Sequence, residues 1–133
     1  MSETAHVMTP LRLEKIGDHL WRLLEPLVVY SARLRGILVA PAGMVTDLAS
    51  TPRFVWTFLP KSGAYDYGCV MHDGAYTGDL QTQDGQVVHL IRLYADRLLD
   101  EVNEATGVSG ASRWCLYHAV RVFSGSYFHG LGG

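Results

Sequence analysis

Cys69, His72, Asp73 and Tyr76 stand at i, i+3, i+4 and i+7, the spacing that brings four side chains onto one face of a helix. An imidazole nitrogen beside a carboxylate oxygen is a mixed donor pair suited to zinc, manganese, iron or nickel. Two ligands do not complete a site. Further along, His89, Arg92 and Asp96 recur at i, i+3 and i+7, and Asp96 interrupts the run Leu93-Tyr94-Ala95-Asp96-Arg97-Leu98-Leu99 beside a small residue that permits close helix approach. Two antiparallel helices would let His72, Asp73 and Asp96 converge. Asp47, in the polar knot Thr46-Asp47-Leu48-Ala49-Ser50-Thr51-Pro52, lies on a loop able to close the cluster. In such a site Asp47, His72, Asp73 and Asp96 hold a divalent ion, zinc or manganese. The ion lowers the pKa of a bound water, Asp73 counts among the catalytic groups, and Arg53 or Arg92 stabilises negative charge developing on the substrate.

Each of these residues also has a structural reading. Asp47 and Ser50 can satisfy backbone N–H groups in an Asx turn or at a helix start. His72 can be a hydrogen-bonded core histidine, with Asp73 paired to Arg53, Arg92 or Arg113. Asp96 can pair with Arg92 four residues earlier or with Arg121, since buried carboxylates need partners. Glu101 and Glu104 read as solvent-facing. Cys69 and Cys115 lie far apart, without a CxxC or Cys/His ladder near either, and read as small buried hydrophobes. His6, His19, His118 and His129 read as surface or packing residues.

The elements that must position these residues follow from period and punctuation. With 133 residues and 48% hydrophobic content, the chain can bury one core and is too short for two. Residues 1–9 read as a flexible arm ending at Pro10. Leu11 to Glu14 alternates, Gly17-Asp18 supplies a turn, and Leu20 to Tyr30 is strand-like except at Glu25-Pro26. Gly36 to Ala40 is another strand, closed by Pro41-Ala42-Gly43, and Met44-Val45 is a short last one. Past the knot the period changes. Pro52 to Leu59 reads as a short helix capped by Ser50 or Thr51, and Tyr65 to Tyr76 as a second. The positions Val88, Ile91, Ala95, Leu98, Leu99 and Val102 mark a longer helix stopped at Gly107. Ser109 or Ser112 caps a last one. The expectation is α+β: an antiparallel sheet over about residues 10–46, then three to four helices packed on it, within a single domain spanning 10–128, and a flexible tail over 129–133.

Several chemistries find no motif. There is no phosphate-binding loop, no GxSxG elbow and no HExxH. A net charge of −2, with 18% charged residues, does not supply the footprint that a duplex phosphate backbone demands, so no nucleic-acid partner is expected. MSETAHVMTP carries no basic n-region and no apolar h-region, and no apolar run is long enough for a membrane span, so the expectation is a soluble protein made inside the cell, with no membrane partner.

Four ordered motifs carry a resemblance: Pro41-Ala42-Gly43-x-x-Thr46-Asp47-Leu48-Ala49-Ser50-x-Pro52-Arg53, then His72-Asp73-x-x-Tyr76, then Arg92-x-x-Ala95-Asp96, then Tyr117-x-Ala119-Val120-Arg121. Over roughly residues 36–128 the chain resembles an uncharacterised family of small phage and prophage proteins, domain of unknown function thirteen-fifty-three. Gly74-Ala75 stands where a bulkier pair would be expected after His-Asp. The resemblance implies a phage-encoded protein present in the host cytoplasm when synthesised, with Asp47, His72, Asp73 and Asp96 as its polar centre, and no established activity. Two functions stay open. One is a metal-dependent hydrolase acting on a cell-wall fragment or a phosphoester. The other is a non-enzymatic virion or tail assembly component, partnered by other phage structural proteins, whose Asp/His/Arg cluster is a hydrogen-bond network.

Overall fold

The computed structural model describes residues 5–18, 20–47 and 64–123. The helix expected over Pro52 to Leu59, with Arg53 in it, lies outside the described residues, as do His19 and the tail.

Among the described residues, six strands precede three helices. The strands are β1 (His6–Val7), β2 (Leu13–Gly17), β3 (Leu20–Leu23), β4 (Leu27–Ser31), β5 (Gly36–Ala40) and β6 (Val45–Thr46); the helices are α1 (Ala64–Thr77), α2 (Arg92–Ala105) and α3 (Gly110–Phe123). The α+β expectation therefore holds, with one difference: the strands form two antiparallel sheets of three, in the orders β1-β4-β5 and β2-β3-β6. Glu25-Pro26 is where the chain leaves one sheet for the other. Proline there costs no ladder hydrogen bond.

Period-2 alternation sets the inward face. Leu27, Val29 and Ser31 of β4 and Leu38 and Ala40 of β5 are buried, with half-buried residues between them. These side chains meet Val70, Met71, Ala75 and Tyr76 of α1 and Leu98 and Val102 of α2 in one core. A second cluster, Tyr65, Cys69, Leu99, Leu116 and Val120, joins the three helices to one another. Of the expected N-terminal arm, residues 5–9 are described: Ala5 is buried, and His6 and Val7 pair with Tyr30 and Val29 of β4. Two residues of strand are too few to show a period.

α1 lies at the centre, buried without interruption from Gly68 to Tyr76. Small residues make that possible. A Cβ on Gly68 would sit 2.4 Å from the Asn103 Oδ1 atom and 3.2 Å from Leu99 Cδ1, so α1 and α2 approach there as only glycine allows. A Cβ on Gly74 would sit 2.7 Å from Leu80 Cδ2 and 3.2 Å from the Met44 sulfur. This explains the absence of a bulky pair after His-Asp: Leu80, from the loop that follows, occupies the space.

α3 starts where the sequence places it, the Ser109 hydroxyl accepting the Ser112 N–H at 3.3 Å as an N-cap. α2 starts later than the apolar period suggests, at Arg92, because residues 80–91 turn back along the sheet. Gln81 bridges both Val39 of β5 and Val87. His89 consequently precedes the helix, is exposed, and does not share a helical face with Asp96. None of the described helices is long and apolar enough to cross a membrane.

Candidate functional site

Asp96 is the hub. Its side chain is fully buried, and donors from all three helices surround it. His72 Nε2 lies 2.8 Å from Oδ1, the Tyr76 hydroxyl donates to the same oxygen at 2.5 Å, and Arg121 donates to Oδ2 at 2.9 Å. The Arg92 Nε lies 3.9 Å from Oδ2, and donates to the Tyr76 hydroxyl at 3.2 Å. His72 and Tyr76 come to Asp96 because residues four apart on α1 stack one above the other, and their rings touch, with centroids 4.1 Å apart.

Arg92 has a further task. One of its guanidinium nitrogens donates to the Val120 and Arg121 carbonyl oxygens at 2.9 and 2.5 Å, in the last turn of α3. A cation there meets the negative end of the helix dipole and satisfies carbonyls that have no partner within the helix. Asp96, Tyr76 and both arginines thus bind α1, α2 and α3 through one polar knot.

Electrostatics agree with the geometry. Burial pushes the Asp96 carboxyl up, but the hydrogen bonds from His72 and Tyr76, the attraction to His72 and the Arg121 bond outweigh it and hold the pKa below the ordinary 3.8. The Tyr76 phenol is raised, by burial first and by its bond to Asp96, against the lowering influence of Arg92. A carboxylate depressed on folding contributes stability that is fully present above its unfolded pKa and is lost as pH falls through the folded one. The expected acid response is a stability loss beginning below about pH 4. Denaturation midpoints measured from pH 5 to pH 2 should fall more steeply for the native chain than for Asp96→Asn.

The remaining predicted residues are distributed differently. Asp73 follows His72 and so faces about 100° around the helix, where it accepts the Thr46 hydroxyl and ties α1 to β6. Of the arginines expected to pair with it, Arg92 lies beside Asp96 and Arg113 pairs with Asp100 and Glu104. Asp47 is exposed at the end of β6. Cys69 is fully buried; burial first, then Asp73, Asp66 and Asp47, push its thiol well above the usual value, which marks it as inert packing. Arg53 lies outside the described residues. Of the quartet Asp47, His72, Asp73 and Asp96, only His72 and Asp96 meet.

Among the described residues the donors of that quartet are not gathered about one point. Both Asp96 oxygens and His72 Nε2 are already engaged, Asp73 faces Thr46, and among the described residues no three His, Cys, Asp or Glu side chains come together as a metal would require. His72 Nδ1 is buried and has no hydrogen-bond partner among the described residues.

Two residues escaped the sequence reading. Thr46 carries no signal beyond its place next to Asp47. Glu101 was expected to face solvent, and instead is buried. It accepts the Ser31 hydroxyl at 2.6 Å and the Ala32 and Arg33 N–H groups at 2.8 and 3.2 Å, which organises the β4–β5 turn. Glu104, by contrast, is exposed as expected and pairs with Arg113 at 3.0 Å. A glutamate on a helix gives no hint in sequence that a turn from a sheet will arrive above it.

A family model described as a protein of unknown function (DUF1353) matches residues 21–120. No curated protein and no solved structure matches the chain.

Proposed function

The chain belongs to the DUF1353 family, and from that premise we propose a non-enzymatic role: a phage virion or tail assembly component in which the Asp96 cluster is a structural hydrogen-bond network. One observation carries this reading. Asp96 uses both carboxylate oxygens on donors from α1 and α3, two on Oδ1 and one on Oδ2, with the Arg92 Nε a further 3.9 Å from Oδ2. A buried network satisfied in this way fixes one arrangement of the helices, a property an assembly subunit requires of a rigid body. Phage origin rests on the four-motif resemblance.

A metal-dependent hydrolase is the second reading, favoured by the spare His72 Nδ1 next to Asp73. It requires Asp47, His72, Asp73 and Asp96 to rearrange around zinc or manganese, with Arg53 or Arg92 facing a cell-wall fragment or phosphoester. Chelator-stripped protein titrated with zinc and with manganese separates the two. A structural network predicts no saturable heat of binding and an unchanged melting temperature. A rise in melting temperature that saturates at one ion per chain, and vanishes in His72→Ala or Asp73→Asn, would establish the metal site instead.

A further inference from the structure

A groove on the other side of α2 carries a separate inference. Two adjoining cavities of about 450 and 420 Å³ lie between the β4–β5 turn, α2 and α3, and share Arg33 and Arg97 in their walls. Each has the size of a small-molecule site. α2 sends Tyr94, Arg97 and Leu98 into the first, α3 sends Trp114, Tyr117 and His118 into the second, and in both helices those positions follow the i, i+3, i+4 spacing of a single face.

The groove's charges are unequally spent. Glu101, in the first cavity, is used by Ser31 and the turn N–H groups. Asp100, in the second, is held by Arg113, which also takes Glu104. Arg33 and Arg97 are exposed and make no ion pair among the described residues. Two guanidiniums therefore remain at the junction of the cavities, with fork geometry suited to a phosphate. Aromatic faces flank them. Trp114 is 65% exposed; its ring lies against His118, with centroids 4.2 Å apart and planes tilted by 30°. Tyr94, 45% exposed, stands in the other cavity.

A planar ring for Trp114 and an anion for Arg33 and Arg97 describe one ligand chemistry. We propose that this groove binds a nucleoside phosphate, with the phosphate between Arg33 and Arg97 and the base on Trp114. The base lies on the exposed face of Trp114, which His118 backs, and a second base can lie against Tyr94. A simple carboxylate would leave the aromatic faces unused, and a neutral sugar would leave the two arginines unused. The net charge of −2 argues against a surface that follows a long duplex, but the groove needs one or two phosphates only. The ligand can be a free nucleotide or a unit of a single strand, where bases stack on aromatics and arginines follow the backbone.

The test uses the full chain with two probes, adenosine monophosphate by calorimetry and a fluorescein-labelled ten-nucleotide single-stranded DNA by anisotropy, and inorganic phosphate as a competitor. Saturable binding is expected, weakened about fivefold to 150-fold by Trp114→Ala and by at least about tenfold in Arg33→Glu or Arg97→Glu. All three side chains project outward, so melting should confirm that the variants fold, and Arg12→Glu, outside the groove, should bind normally. Binding of the mononucleotide but not the strand identifies a free nucleotide; binding of the strand identifies a polymer unit. No saturable binding of either probe below millimolar concentration, indifference to the three variants, or displacement by inorganic phosphate as effective as by the mononucleotide would each overturn the proposal. The Asp96 network plays no part in this groove, so either proposal can fail without the other.

Discussion

Asp96→Asn should lower unfolding stability by about 3 kcal/mol, near the lower end of what breaking a buried ion pair costs, which for a domain of this size is a fall in melting temperature of roughly 10 °C. The replacement keeps the shape, and its remaining oxygen can still accept from His72 and Tyr76. The new amide N–H₂ must then stand where Oδ2 received the Arg121 guanidinium at 2.9 Å, donor against donor, at a position that is itself fully buried. Arg92 loses its nearby counter-charge in the same step. Urea denaturation measures the cost, and a double variant, Asp96→Asn with Arg121→Met, should recover part of it, because the uncompensated cation is gone. A loss below about 1 kcal/mol, the typical value of an exposed pair, would show that Asp96 is not the hub.

Glu101→Ala is the second large effect, at about 3 kcal/mol. Truncation strands the Ser31 hydroxyl and the Ala32 and Arg33 N–H groups, all of which now bond the carboxylate, and each stranded buried donor costs about 1–3 kcal/mol when no water reaches it. Part of the turn is exposed, so the total stays well below the sum. The local signature is more specific than the melt: hydrogen exchange at Ala32 and Arg33 should accelerate far more than at the paired amides of β5. Unchanged exchange at those two positions would mean that the turn holds itself. Arg35, with a φ of 54°, argues against that, since a non-glycine residue in the left-handed region needs support from its surroundings.

β2 to β6, α1 and α3 were legible because alternation, proline, glycine and a serine cap act locally. The His72–Asp96 contact was legible too: the spacing of His72 and Tyr76 on one helix, and the anomaly of Asp96 in an apolar run, already required an inward carboxylate with a partner. What could not be read depends on distant chain segments. Asp73 looked equivalent to His72 because both are polar and adjacent, yet a 100° step around α1 delivers it to Thr46. Glu101 looked like any surface glutamate, since nothing local announces the hairpin turn seated on it. His89 was assigned to a helix whose first turn the chain uses instead to reach back to the sheet.

The contact at Gly68 has a mechanical consequence. Where only a hydrogen atom separates α1 from Asn103 and Leu99, neither cylinder can roll or slip along its neighbour, and two turns further on the Asp96 hub pins the same pair again. Fixed at two points, the pair transmits a push at one end as displacement of the whole body. A load applied to this protein would therefore be taken up where the helices meet the sheets, at Thr46 and Glu101, rather than inside the bundle.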